Sequence, residues 1–304
     1  MLFFIILLHK FWKLKQLFIF TFKRLKMKKI LLVSLIMLLT VATFAQKKEK
    51  LKGSKIVKIE VKKVPTFETI DITDNLDIYL IKGTNPSIEI DADDNLHSII
   101  DISTKGKMLY LSTIKTVTSA KKFSLRITYT NDLKQIILHN NAKVNSLIDL
   151  DLETITFKLY DDSQLFATSK SKSFSLFLDD EARAEINLKG EKTTLNLSKN
   201  SSLKALIVSN EMVLDMYQKG NAKIEGDCNN LKVRLDNSAR FIGKNMVSKA
   251  TDLTTELESK VSIFAKNAIK ISASGNSNIE LYGEPKIDLA KFTDTASLKK
   301  IKEN

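Results

Sequence analysis

The chain has 304 residues, with 48 Lys and Arg against 35 Asp and Glu. Eight of the basic residues fall within residues 1–45, so the rest of the chain carries 40 basic and 35 acidic side chains. This mild, mixed charge with few arginines excludes the basic footprint of a nucleic-acid-binding protein. Cys228 is the single cysteine, which excludes an intrachain disulfide, and we expect it to act as a small buried side chain.

The N-terminal region has the pattern of an export signal. A basic pair follows Met27, an apolar run covers residues 30–41, and small residues up to Ala45 predict cleavage after that alanine. The run is shorter than the roughly 20 residues that a spanning helix needs. Residues 1–26 precede a complete signal, so we expect translation to start at Met27; an unusually long basic leader is the alternative. The mature chain is therefore predicted to be exported, without an integral membrane segment.

The remaining chain is predicted to form one domain. Residues 46–64 are rich in lysine and predict a flexible leader that merges into an edge strand near Ile56–Val61. Residues 65–290 form the predicted domain, and residues 291–304 a polar tail. Strong apolar–polar alternation in the first part of the domain, with hairpin-like turns in "KGTNPS" and "TKGKM", predicts an antiparallel or mixed sheet that caps one end.

A short motif, such as "DNSARF" at residues 236–241, recurs along the domain. Each copy has a small residue two positions before an apolar residue that closes the motif. The predicted closing residues are Val144, Leu165, Ala184, Leu203, Ile224, Phe241, Val261 and Ile279. The predicted small residues are Ala142, Ser163, Ala182, Ser201, Ala222, Ala239, Ser259 and Ser277. Self-similarity at a period of about 20 residues is typical of stacked-repeat proteins.

Between the motifs, apolar residues alternate with period two, which favours strands over helices. Asn, Asp, Gly and Ser within the motif suit tight turns, because they tolerate a left-handed backbone or bond the local backbone. We therefore predict an all-β fold, a single-domain β-solenoid similar to a parallel β-helix. It would contain about eight coils of about 20 residues, stacked roughly 4.8 Å apart behind the N-terminal capping sheet.

Clustered carboxylates are the candidate ligand-binding residues, because hard cations prefer oxygen ligands. One cluster lies in "IDADDN", although its spacing differs from that of a calcium loop and a solvated turn is the simpler interpretation. Two acidic pairs at neighbouring turns would form an acidic edge if the coils stack in register. The candidates are Asp91, Asp93, Asp94, Asp161, Asp162, Asp179 and Asp180.

Motifs for catalysis and cofactor binding are missing from the sequence. There is no G-x-S-x-G elbow and no phosphate-binding G-x-x-x-x-G-K-[ST] loop. His97 and His139, the two histidines beyond the signal, lie far apart in the chain and do not predict a zinc site. We therefore predict no enzyme activity, no cofactor and no metal.

Two segments resemble a known family. "FETIDITDNLDIYLIKG" at residues 67–83 and "SGNSNIELYGEP" at residues 274–285 are similar to the putative auto-transporter adhesin, head GIN domain family. The resemblance extends over about Phe67 to Leu289 and implies an exported β-solenoid with an adhesion function. It carries over no catalytic residue, and glycine-rich turns of the family are replaced here by stretches such as "YDDSQL".

The expected function is that of a non-enzymatic binding or adhesion scaffold of the bacterial envelope, in the periplasm or at the cell surface. Its expected partner is a glycan or an envelope protein. One alternative is a periplasmic envelope-stress or assembly component that binds another protein, and another is a polysaccharide-active β-helix enzyme. The sequence indicates no oligomeric state.

Overall fold

A computed structural model describes residues 48–146 and 148–302, so the predicted signal lies outside the described residues. From Lys50 onward the chain forms one compact unit. In the described part, 22 strands are accompanied by one short 3₁₀ helix, Asp94–Ile99. The strands are β1 Lys50–Lys52, β2 Val57–Lys63, β3 Thr69–Ile72, β4 Asp77–Lys82, β5 Ser87–Asp93, β6 Ile100–Lys105, β7 Met108–Thr113, β8 Thr116–Ser119, β9 Phe123–Tyr129, β10 Gln135–Leu138, β11 Lys143–Ser146, β12 Leu150–Asp151, β13 Thr154–Leu159, β14 Gln164–Leu178, β15 Arg183–Leu197, β16 Ser202–Met216, β17 Asn221–Leu235, β18 Arg240–Thr255, β19 Lys260–Ala273, β20 Asn278–Tyr282, β21 Lys286–Phe292 and β22 Ser297–Lys300.

Two layers of strands enclose the core. The first layer runs from β2 through β5, β9, β4 and β11 to the N-terminal halves of β14–β19, and then to β20 and β22. The second runs from β6 through β7, β3, β10 and β13 to the C-terminal halves of β14–β19, and then to β21. Alternate side chains point inward and are buried, so the alternation in the sequence becomes a continuous apolar core. The predicted all-β solenoid is confirmed, with about nine turns.

Neighbouring coils pair in parallel and in register. Five successive strands start at residues that lie beside one another, which gives a coil of 19 residues. These residues are Gln164, Arg183, Ser202, Asn221 and Arg240. A constant coil length keeps each buried side chain above its counterpart, and a one-residue slip would turn the apolar set outward.

One part of the predicted repeat is wrong. The register places Leu203 beside Ala222, and Ala222 beside Phe241, so Ala222 rather than Ile224 closes the motif of this coil. Gly220, two positions earlier, then takes the place of the small residue. The alternation was misread because Ala222 and Ile224 are both buried in the same strand, and Gly220 has no side chain to mark its position.

Each coil passes from the second layer to the first through a four-residue turn, here called the tight corner. In most of these turns the fourth N–H donates to the first carbonyl, as Gly220 N does to Tyr217 O at 3.1 Å. The second residue has a positive φ, the left-handed conformation that Asn and Asp tolerate better than most side chains. These second residues are Asp74, Asn140, Asp161, Asp180, Lys199, Gln218, Asn237, Leu257, Gly275 and Asp294, with φ between 54° and 75°.

From the Asn140 corner onward, the fourth residue of the tight corner is small, because its side chain points into a crowded space. Ala142, Ser163 and Ala182 are fully buried there. A Cβ added to Gly220 would lie only 3.2 Å from the Leu197 Cβ and 3.3 Å from two backbone oxygens. The small residues of the motif therefore point inward.

The opposite corner is a bend within the long strands and is called the bent corner. A column of small inward side chains lies here in register from β14 to β18, and sequence reasoning did not find it. Its members are Ser171, Gly190, Ser209, Cys228 and Ser248. Ser209 Oγ donates toward Glu211 O at 2.9 Å, and Cys228 Sγ donates toward Asn230 O at 3.0 Å. Hydroxyl and thiol groups therefore satisfy carbonyls at the bend.

The lone cysteine is a member of this column. It is 4% exposed, which confirms the predicted small buried side chain. Burial raises the pKa of the Cys228 thiol to about 11, so it stays protonated at neutral pH and is a poor nucleophile.

The N-terminal cap is a mixed sheet, as predicted. β6 and β7 form the hairpin expected from "TKGKM", with Gly106 at φ 60° in its turn. The segment "KGTNPS" does not form a hairpin, because β9 lies between β4 and β5 and pairs in parallel with one and antiparallel with the other.

Both ends of the solenoid extend into segments expected to be a leader or a tail. β1 and β2 lie within residues 46–64, and β2 is the edge strand predicted there. β21 and β22 continue the coils through residues 286–300. At this end Ile287 and Leu289 occupy core positions but stay partly exposed, because no described strand covers them.

One tight corner has a leucine at its left-handed position, and this conformation strains the backbone. Leu257 has φ 56° and an exposed side chain, so Leu257→Asn relieves the backbone without loss of buried apolar area. We expect the free energy of unfolding to rise by about 0.5–1 kcal/mol, as measured by urea denaturation. Glu258→Asn, at the next position with negative φ, is the control. Equal effects of the two substitutions would contradict the assignment.

The column at the bent corner predicts which residues Cys228 can be exchanged for. Cys228→Ser should change the free energy of unfolding by less than about 1 kcal/mol, because serine holds the same place in adjacent coils. Cys228→Leu should destabilise by about 1–3 kcal/mol through overpacking. Thermal unfolding of both variants checks this, and a larger loss for serine than for leucine would refute the role of the column.

Candidate binding site at the tight corner

Asp93 is a structural carboxylate of the cap. It is fully buried and accepts hydrogen bonds from the backbone N–H groups of Lys55 at 2.9 Å, Lys121 at 3.1 Å and Lys122 at 3.0 Å. Burial would raise the pKa of the Asp93 carboxyl, but these three donors outweigh it and hold the pKa below its usual value. A Cβ at Gly53 would overlap the carboxylate, so the glycine makes room for it.

The two other candidates of this cluster have separate partners. Asp91 forms an ion pair with Lys122 Nζ at 3.6 Å, and Asp94 accepts a hydrogen bond from Ser54 Oγ. The three carboxylates therefore attach residues 54–55 and 121–122 to β5 and to the start of the 3₁₀ helix. They serve three different contacts, and the structure does not gather them around one ligand.

The acidic pair Asp179–Asp180 is neutralised by a lysine of the neighbouring tight corner. Lys199 occupies the left-handed position one coil after Asp180, and its Nζ lies 2.7 Å from Asp180 Oδ1 and 2.9 Å from Asp179 Oδ2. Burial would raise the pKa of Asp179, but hydrogen bonds from Ser198 Oγ and Lys199 lower it overall. This part of the predicted acidic edge is an ion-pair cluster.

The acidic pair Asp161–Asp162 lies in register with Asp179–Asp180, as expected for stacked coils. Asp161 N donates to Asp180 Oδ2 at 3.4 Å, and Asn140 N donates to Asp161 Oδ2 at 2.8 Å. Gly275 N and Asp294 Oδ2 repeat the contact at 2.9 Å. A carboxylate at the left-handed position therefore binds the N–H of the preceding corner.

A cavity of about 310 Å³ opens beside the first tight corners. Three turns form one wall, and the chain between β7 and β9 forms the other. The lining residues are Asp74, Asn75, Thr113, Thr116, Val117, Phe123, Asn140, Asn141, Asp161 and Asp162. Among the seven candidate carboxylates, only Asp161 and Asp162 line it.

The cavity has a fixed part and an accessible part. Asp74 Oδ2 accepts hydrogen bonds from Thr113 N at 2.9 Å and Thr113 Oγ1 at 3.1 Å, which attaches the second wall to the turn. Asn75, Asn141 and Asp162 are exposed, and each is the third residue of its turn. Amides supply donors and acceptors and the carboxylate supplies acceptors, so together they can bind a ligand rich in hydroxyl groups.

Sequence reasoning missed Asn75, Asn141 and Thr113. The two asparagines could have been identified from the sequence, because alignment of the turns "TDNL", "HNNA" and "YDDS" places them in one column with Asp162. Thr113 carried none, since it comes from a strand outside the repeat.

A shallower groove of about 470 Å³ crosses the outer surface of the first layer. Phe166 and Leu206 lie exposed in it, beside the ion pair of Lys204 with Glu185 at 3.2 Å. An apolar centre flanked by charges is a common composition for a protein-binding surface.

A metal site and a membrane span are two further possibilities for a chain of this kind. Within residues 48–146 and 148–302, no three His, Cys, Asp or Glu side chains are grouped so that they could hold a metal ion. In the same residues there is no helix of the length and hydrophobicity that a membrane span requires.

The chain belongs to the putative auto-transporter adhesin, head GIN domain family, whose profile matches residues 66–285. The match covers most of the mixed cap, without β1 and β2, and most of the stacked coils. It confirms the family resemblance found in the sequence, and it supports a binding or adhesion role at the level of the family.

Solved structures share the fold at low identity. A putative adhesin from Parabacteroides merdae aligns with a TM-score of 0.62 and 13% identity, covering 83% of this chain and 99% of its own. A putative lipid binding protein from Parabacteroides distasonis gives 0.61 and 12%, covering 83% and 100%. A putative adhesin from Parabacteroides distasonis gives 0.57 and 15%, covering 84% and 98%. A comparison with curated proteins found no match.

The buried carboxylate of the cap predicts a pH dependence. Because folding lowers the pKa of Asp93, its ionisation stabilises the fold above the unfolded-state pKa, and this contribution is lost as the pH falls through the folded-state pKa. Asp93→Asn should therefore lower Tm at pH 7, with a difference from the parent that shrinks towards pH 3. Asp94→Asn is the matched control, and a pH-independent difference for Asp93→Asn would contradict the argument.

Proposed function

We propose that the mature protein is an exported, non-enzymatic binding or adhesion scaffold whose corner cavity takes a glycan. The observation that carries this proposal is the column of Asn75, Asn141 and Asp162, held against a second wall by the Thr113–Asp74 contact. Sugar hydroxyls both donate and accept hydrogen bonds, so they match a wall of amides and a carboxylate. Family membership and the adhesin-described neighbours of the same fold support a binding role.

Export is part of this proposal. It is supported by the basic, apolar and small-residue pattern of residues 27–45, which would be removed after Ala45. We retain residues 65–290 as the proposed binding domain. Protease treatment of intact and lysed cells distinguishes the two compartments, because digestion on intact cells places the domain at the surface and protection until lysis places it in the periplasm.

A protein partner is the second candidate. It is favoured by the outer groove, where Phe166 and Leu206 are 39% and 51% exposed, and by Val208, which follows Leu206 on the same face of β16 and is 46% exposed. Exposed apolar side chains next to one another on a sheet surface are a common sign of an interaction site.

The cavity can be tested with a pair of asparagines at equivalent turn positions. Asn141→Ala removes an amide from the cavity, whereas Asn200→Ala removes the third residue of a turn that does not line it. On an array of bacterial and host oligosaccharides, and then by calorimetry, Asn141→Ala should weaken binding by about tenfold, the effect of losing roughly one hydrogen bond.

The control should bind as the parent does. Equal binding by both variants would exclude the cavity. Loss of binding in Phe166→Ala alone would move the site to the outer groove.

A further inference from the structure

β2 is an unprotected sheet edge. Within the described residues it pairs with β5 alone, so its other side is open. Every β2 residue except Lys62 is exposed, and Val57, Ile59 and Val61 are 38%, 65% and 60% exposed on one face. A flat edge with an apolar face is a template for another strand.

The direction of the backbone groups of β2 follows from the ladder that it forms with β5. Asp94 N donates to Ile56 O at 2.8 Å, and Val64 N donates to Pro86 O at 3.4 Å, so the even-numbered residues bond towards β5. Residues of an antiparallel strand alternate in this respect. The N–H and C=O groups of Val57, Ile59 and Val61 therefore point to the open side.

We propose that two copies of this chain pair through β2, antiparallel, about a two-fold axis at Ile59. In this register Ile59 lies opposite Ile59 of the second copy, and Val57 lies opposite Val61. Each of these residues exchanges both backbone hydrogen bonds with its counterpart. The first layers of the two copies become one continuous sheet with an unbroken apolar row on its outer surface.

Charge favours this register over the one with its axis at Glu60. With the axis at Ile59, Lys58 faces Glu60 of the second copy on both sides of the centre. With the axis at Glu60, Glu60 would face itself and Lys58 would face Lys62, and like charges directly opposite one another destabilise a pair. At the outer limit of this register, Lys55 faces Lys63 of the second copy. Repulsion between these like charges confines the pairing to the centre of β2.

The second copy is a better occupant than an unrelated strand, because β2 is complementary to itself in both its apolar and its charged positions. The other end of the solenoid lacks this property. β21 is also an edge, but its register with β19 shifts after Leu289, and such an irregularity disrupts further pairing.

The test is the association state of the protein purified from cells that express the full chain. Analytical ultracentrifugation over a range of concentrations should show a monomer–dimer equilibrium. Ile59→Lys places two charges on the axis and should raise the dimer Kd by about tenfold or more. Leu289→Lys, at an apolar position of β21 that is 51% exposed, should leave the Kd unchanged.

A charge exchange distinguishes this register from a general loss of the edge. Lys58→Glu should weaken the dimer, because the introduced carboxylate then faces Glu60 of the second copy, and adding Glu60→Lys should restore it. Far-UV circular dichroism confirms that each variant is folded.

A monomer at every concentration would overturn the proposal. A dimer that survives Ile59→Lys, or one that Leu289→Lys dissociates, would also overturn it.

Discussion

The inter-coil register is the constraint on which the rest of the structure depends. Each coil bonds most of its backbone to the coils on either side, so neighbouring coils must have nearly the same length and turn at the same places. The tight corner meets this demand with one left-handed residue per coil and, in most coils, one small buried residue. Where a coil departs from 19 residues, as in β18, bulges absorb the difference. The cavity exists because three corners of this series lie next to a wall from outside it.

Much of the architecture could be predicted from the sequence, because polar and small residues mark the turns of the repeat. The all-β solenoid, the mixed cap and the edge strand near Ile56 follow from alternation and turn chemistry, and the structure has them. The slip at Ala222 and Ile224 shows the limit of such reasoning, since two buried residues of one strand look alike without a partner strand to fix the register. The bent corner could not be predicted from the sequence for a related reason. Serine, glycine and cysteine share only small size there, and no turn residue marks the bend.

The candidate site was harder to predict than the fold. A carboxylate has the same appearance in sequence whether it fastens the backbone, as Asp93 does, or lies open in a cavity, as Asp162 does. The difference comes from partners distant in the chain, such as the lysine N–H groups around Asp93 and the threonine that closes the wall by bonding Asp74. The acidic residues therefore pointed to the correct edge of the solenoid, while their individual roles depended on tertiary contacts.

The parallel ladder also has a mechanical consequence. Its hydrogen bonds run along the stacking direction, so tension in that direction is carried by the bonds at every interface between coils. Among the described strands, β21 and β22 have neighbours on one side only, so the coil at this end is held by fewer bonds than a coil within the stack. Each coil that peels away releases about 65 Å of extended chain. A pulled molecule of this kind would lengthen in equal steps and absorb work at each one, while the coils beyond the break keep their structure.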